Sequence, residues 1–218
     1  MSEPAGHVEE SPAVIAGGGQ LRRAAKPRRQ ASYDEEVQLL IRSAEAVMLG
    51  KGCTEPPKIA EIVRAAEMSN QAFYRHFRSR DDVIVATYEQ GLLNIHAYLA
   101  HRVFKQVGLE ARLAAWIDGV LAQIEDPELS ELSRVIIWNM GQIARTKSEI
   151  KPIGHARLSE VLCGVLAQAE VPEPGRNATF IQTLVLGLTT SYLESGQSPT
   201  AADRAHLLRF CLGALAEH

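Results

Sequence analysis

Apolar residues recur along most of this chain at intervals of three and four, the spacing that lines one face of an α-helix. The first such stripe is Val37, Leu40, Ile41, Ala44, Val47 and Met48. Ser32-Tyr33-Asp34-Glu35 precedes it and reads as a capping box, with Ser32 accepting from the amide three residues on and Glu35 reaching back. Gly50 and Gly52 suit its end. Pro56 and Pro57 suit the start of a second helix, where a missing N–H costs little; it runs to about Ala66 and buries Ile59, Ile62 and Val63. Ser79, followed by Asp81 and Asp82, opens a long fourth helix striped by Val83, Ile84, Tyr88, Leu92, Ile95, Leu99 and Val103, with Gly108 as its stop. Further helical segments are expected at 109–125, 128–147, 152–169, 176–195 and 200–216. Pro127, Pro152, Pro172, Pro174 and Pro199 punctuate them, and Gly196 fits a C-terminal cap. No convincing run of strands appears, so the expected fold is all-α with about nine helices.

Between the second and fourth helices lies the most informative stretch, residues 56–82, PPKIAEIVRAAEMSNQAFYRHFRSRDD. It reads as two short helices joined by a tight turn. The second begins with small polar residues and ends in an aromatic and basic cluster. A helix-turn-helix has this arrangement: one helix braces across the DNA backbone while the next enters the major groove by its N-terminal end.

Charge adds to this picture. The net charge of -3 conceals an asymmetry, because residues 20–80 hold 12 Lys and Arg against 7 Asp and Glu, whereas residues 81–218 hold 11 against 16. A basic third on an acidic body is a footprint of a nucleic-acid partner, although charge alone fits a solvated surface equally well. Residues 1–31, rich in Gly, Ala and Pro, read as a disordered arm in which Arg22, Arg23, Lys26, Arg28 and Arg29 either follow DNA or serve only solubility. The remaining divisions are a helix-turn-helix domain at 32–80 and a larger helical domain at 81–218.

Composition excludes several classes. Without a run of about 18 apolar residues, no membrane span is expected. The N-terminus lacks a charged start followed by an apolar stretch, so a cytoplasmic location follows by default. Cys53, Cys163 and Cys211 are far apart and lack metal-ligand spacing, so no metal is expected. No nucleophile-base constellation, phosphate-binding Gly loop or cofactor motif stands out, and no catalytic residue or cofactor is assigned.

The ordered N-terminal residues resemble the DNA-binding domain of the TetR family of transcriptional regulators. The resemblance rests on Ala44, Met48 and Gly52, then Ile59-Ala60-Glu61-Ile62, Ala65-Ala66, Met68-Ser69, Phe73-Tyr74-Arg75-His76-Phe77 and Arg78-Ser79-Arg80-Asp81. It implies a homodimer on a palindromic operator in double-stranded DNA, acting as a repressor and released when a small apolar or amphipathic effector enters the C-terminal domain. Two positions depart from the family pattern: Glu67 replaces a Gly in the turn, and Val63 replaces an Ala between the two DNA-binding helices. A positive φ at Glu67 would cost about 1–2 kcal/mol.

On this basis Ser69 caps the recognition helix, and Asn70 and Gln71 reach base edges, where amide side chains can pair bidentately with adenine. The resemblance makes Tyr74 and His76 phosphate contacts. Arg75 reaches a base or a phosphate, and Lys58, Arg78 and Arg80 meet the backbone. Phe73 and Phe77 belong to the core. In the C-terminal domain, the aromatic and polar residues of the central helices make a candidate effector pocket from His96, Phe104, Trp116, Trp138, Met140, Gln142, Arg145 and His155. The segment 178–193 is apolar around most of its girth, and with the last helix it suggests a dimer interface through Phe180, Leu184, Gly187, Leu188, Leu208 and Leu212. The competing readings are an effector-independent regulator or activator and, from a different class, an all-α enzyme.

Overall fold

The computed structural model describes residues 33–146 and 154–216. Among these it shows nine helices and no strand: α1 (Tyr33–Lys51), α2 (Ile59–Ala65), α3 (Asn70–His76), α4 (Arg80–Phe104), α5 (Leu109–Glu125), α6 (Pro127–Ala144), α7 (Gly154–Gln168), α8 (Pro174–Ser195) and α9 (Ala201–Ala216). The all-α expectation therefore holds, and the chain punctuation explains most of the boundaries. The Ser79 hydroxyl accepts from the Asp82 amide at 3.2 Å, and the Asp126 carboxylate accepts from the Glu128 and Leu129 amides at 2.9 and 3.0 Å. Gly196 closes α8 in the left-handed conformation at φ 67°.

Three boundaries differ from expectation. The second helix starts two residues beyond Pro57, because Lys58 is extended (φ -96°, ψ 146°) and serves as its cap. There the Glu61 carboxylate accepts the Lys58 amide at 2.8 Å. The long fourth helix ends at Phe104, before Gly108, whose φ of 85° places it ahead of α5 as that helix's cap. The sixth helix stops at Ala144, where Arg145 and Thr146 close its end. Ser32, the basic arm from Arg22 to Arg29 and Pro152 lie outside the described residues.

Burial divides the molecule into two cores. The first gathers Leu40, Ile41, Ala44 and Met48 of α1, Ile62 and Val63 of α2, Phe73 of α3, and Phe77 beyond it. It also includes Val83 and Ile84 of α4 and, from far along the chain, Leu129, Leu132, Val135, Ile136 and Ile143 of α6. The second is built from α4, α5, α7, α8 and α9 around Leu99, Leu113, Trp116, Leu121, Leu158, Leu162 and Val185. Tyr88 and Ile95 of α4 pack against both. The three N-terminal helices thus share their core with α6, and the expected division at residue 80 is not a break in packing.

Candidate DNA-binding face and ligand cavity

The turn between α2 and α3 has a C-capping geometry in which the Met68 amide reaches back to the Val63 carbonyl at 2.8 Å. This places Glu67 at φ 54°, a position that favours Gly. The departure noted in the sequence is therefore met by a strained backbone with the usual turn. Val63 is buried in the core.

The Ser69 hydroxyl accepts from the Ala72 amide at 3.1 Å and opens α3. Only seven residues long, α3 has no stability of its own to speak of and depends on its packed face. That face is Ala72 and Phe73, with Phe77 just beyond the helix and its ring 5.7 Å from that of Phe73. The opposite face presents Asn70, Gln71, Tyr74 and Arg75, all exposed. Tyr74 stands out at 57% exposure, its ring set edge-on to Phe73 at 5.5 Å. Lys58 at the start of α2 and Arg78 at the approach to α4 are exposed as well.

A carboxylate organises the basic end of α3. Glu36 of α1 accepts from Arg75 Nη2 at 3.0 Å and lies 2.7 Å from His76 Nε2. The hydrogen bond with His76, aided by the charge of Arg75, holds the Glu36 carboxyl below its ordinary range. The His76 side chain is only 1% exposed, and Tyr33 covers its ring at 4.4 Å. His76 therefore differs from expectation: its ring is enclosed between α1 and α3, where it fixes the helix, and it does not face outward. Arg80 is paired with Asp81 at 3.0 Å. Lys51 ties the end of α1 to the second helix through Glu61 at 2.9 Å and through Glu55. Glu36 was not singled out in the sequence, because its partners lie about forty positions away and no local pattern links them.

The larger domain contains a cavity of about 380 Å³ between α4, α5, α6, α7 and α8. Tyr88, Leu92 and Ile95 line one side, Leu132, Ile136 and Met140 another, and Gln123, His155, Leu158 and Thr189 contribute further. A second hollow of about 360 Å³, lined by Cys53, Arg134, Trp138, Gln142, Arg145 and Glu194, adjoins it through Ile137, Gly141, Thr190 and Leu193.

Of the expected pocket residues, Met140 and His155 line the apolar cavity, while Trp138, Gln142 and Arg145 line its polar neighbour. Three others need correction, since neither hollow includes them. Trp116 is wholly buried within the second core, Phe104 is 54% exposed at the end of α4, and His96 points elsewhere on the same helix.

The polar corner of the cavity is a pair, Tyr88 Oη to His155 Nε2 at 2.6 Å. Burial pushes the Tyr88 phenol up to about 12 and pushes the His155 imidazole down, so both stay uncharged near neutral pH. The start of α7 is pinned beside them, with the Gly154 amide donating to Glu89 at 2.7 Å and Gln182 donating to the His155 carbonyl at 2.8 Å. The outer faces of α8 and α9 expose Phe180 (66%) and Phe210 (60%). Gly187 is also exposed, and a Cβ added there would meet no atom within 4 Å. Leu184, Leu188, Leu208 and Leu212 are half-buried and pack partly against the second core.

Comparison with known proteins agrees with this geometry. Residues 42–87 match the family model described as bacterial regulatory proteins, tetR family. The Transposon Tn10 TetC protein of Escherichia coli is 27% identical over 118 residues, a stretch that is 52% of this chain and 59% of that protein, so the chain spans less than two thirds of this relative. A transcriptional regulator from Rhodococcus sp. RHA1 superposes with a TM-score of 0.59 at 19% identity, covering 82% of this chain and 95% of that one. A TetR family regulator from Pseudomonas syringae gives 0.55 at 19%, covering 84% and 96%. FadR from Bacillus subtilis in complex with stearoyl-CoA gives 0.51 at 14%, covering 83% and 97%. No helix among the described residues is long and apolar enough to cross a membrane. Residues 42–87, with the helix-turn-helix, thus match the tetR family model, and the all-α fold is shared with solved regulators of that description.

Proposed function

We propose that this chain is a ligand-responsive transcriptional repressor that binds a palindromic DNA operator as a homodimer and leaves it when an apolar or amphipathic effector occupies the cavity. The observation that carries this reading is the exposed face of α3. Asn70, Gln71 and Tyr74 project from a helix capped by Ser69 and clamped to α1 through Glu36. In this reading the amides of Asn70 and Gln71 select bases, while Tyr74, Lys58 and Arg78 hold phosphates. Arg75 serves as an orienting contact already shared with Glu36. Arg80 joins the backbone contacts from its pair with Asp81, and the arm from Arg22 to Arg29 adds positive charge.

Two heads are needed to read half-sites roughly 34–36 Å apart. The exposed apolar faces of α8 and α9, with Phe180, Gly187 and Phe210 outermost, support a dimer there. The wall that α6 shares between cavity and N-terminal core supports the coupling. Leu132 and Ile136 belong to that core and line the cavity as well, so an occupant pressing on them presses on the packing of the DNA-binding helices.

The test is a binding titration over graded salt on genomic DNA fragments and then on variants of the recovered operator. Affinity is expected to fall linearly in log-log form as salt rises. Tyr74→Phe should weaken binding to every sequence, whereas Gln71→Ala should lose about 1–3 kcal/mol of discrimination at one operator position. Salt-independent binding, or a uniform loss for Gln71→Ala on all variants, would overturn the reading.

A further inference from the structure

Among the fully buried side-chain polar atoms of the cavity-lining residues, one is left without a partner. Thr189 and Thr190 donate to the carbonyls of Val185 and Leu186 in their own helix, at 2.8 and 3.0 Å. Tyr88 and His155 satisfy each other. No lining residue is Asp, Glu, Lys or Arg. Gln123 of α5 is different. It is 5% exposed, it lines the cavity, and its Oε1 is buried with no hydrogen-bond partner.

A buried amide without a partner is a standing penalty that Leu or Met at the same place would not incur. The amide has two donors and two lone pairs, and a half-turn about its last bond offers either end to the cavity. The site therefore has one fully buried unmet polar demand, with the half-buried Ser133 hydroxyl also on the wall, in a mostly apolar enclosure whose lining carries no Asp, Glu, Lys or Arg. The surrounding Leu92, Ile95, Val120, Leu132, Ile136 and Leu158 would bury a hydrocarbon body.

The geometry points to an uncharged, largely apolar ligand bearing a single hydroxyl or carbonyl group, which Gln123 binds. This rests on the reading of the cavity as the effector site. A carboxylate would have to shed its water against a wall with no cation, so an ionised acid is disfavoured. A bare hydrocarbon would leave the amide unpaired.

The test uses the whole chain with diphenylhexatriene, an uncharged hydrocarbon dye that fluoresces in apolar surroundings, and three displacing probes: 1-nonanol, nonanoate at pH 8 and 1-nonene. Ser133→Trp, which fills the cavity, should abolish dye binding and so locate it. Nonanol should displace the dye at concentrations at least about tenfold below those needed for nonanoate. In Gln123→Met, close in size and lacking the amide, nonanol should weaken by about tenfold, the equivalent of one hydrogen bond, while dye and nonene bind as well as before. Retained dye binding shows that this variant is folded. Unchanged nonanol affinity in Gln123→Met would overturn the role of Gln123, and tighter binding of nonanoate would overturn the uncharged ligand. Either result leaves the cavity standing as a ligand site. Failure of dye, alcohol, acid and hydrocarbon alike to bind would remove the cavity reading itself, with DNA binding measured separately.

Discussion

In the proposed function, the short helix α3 and the cavity wall around α6 carry their roles in opposite ways. On α3 the informative residues are exposed and polar, and each would act through its own chemical identity. On the cavity wall they are mostly buried or half-buried and nearly all apolar, and they would act through the shape they leave between them. A face that touches a repetitive polymer is constrained residue by residue. A cavity of about 380 Å³ can be assembled from many combinations of Leu, Ile, Val and Met. On this reading, function is concentrated in a few letters at one end of the molecule and spread over five helices at the other.

Substitutions behind each surface should sharpen this contrast. The largest effect is expected from Phe73→Ala, which empties a fully buried site beneath α3. Loss of about 3–5 kcal/mol in urea unfolding, together with loss of DNA binding, would show that the reading face has no order apart from its core. A value under 1 kcal/mol would show that α3 is held by its polar ties instead.

Next comes Gly154→Ala behind the cavity, where an added Cβ would lie 2.6 Å from Leu92 Cβ and 2.9 Å from the Glu89 carboxylate. Forcing α7 away from α4 should cost about 1–3 kcal/mol and weaken ligand binding while the isolated effect on α3 stays small. Thermal melts with and without dye would separate the two.

Smaller still is Ser69→Ala, which removes the α3 cap and should destabilise by about 1 kcal/mol in the same urea assay. The smallest expected change is in pH dependence. Burial raises the carboxyl of Glu45, half-buried on α1, to about 7, against an ordinary 4.5. The folded state holds that proton more tightly than the unfolded chain does. The resulting stability is fully present below about pH 4.5 and is lost as pH rises toward about 7. Glu45→Gln should flatten that decline, and an unchanged slope between those limits would assign it to other groups.

Much of this was legible in the letters, and the gaps follow from distance. Helix stripes repeat locally, so all nine helices and the caps at Ser69, Ser79 and Gly196 could be read directly. The exposed residues of α3 followed from a local motif. The clamp by Glu36 did not, because the contact joins α1 to α3 and leaves no mark in either segment. The same holds for Tyr88 and His155, which meet across 67 positions. Trp116 misled because an aromatic residue beside polar ones describes a core as well as a pocket. Gln123 does leave a local signal, an amide in register with Trp116 and Val120 on the apolar face of α5.

The shared packing of α6 has a practical consequence. A fragment cut after residue 80 would lose Leu129, Leu132, Val135, Ile136 and Ile143, leaving the flank of its helices bare to water. The helix-turn-helix is thus not a detachable module. Grafting it onto a foreign domain would succeed only if the donor helix came along, so under the proposed function changes in what is recognised and in what is sensed would be coupled through α6.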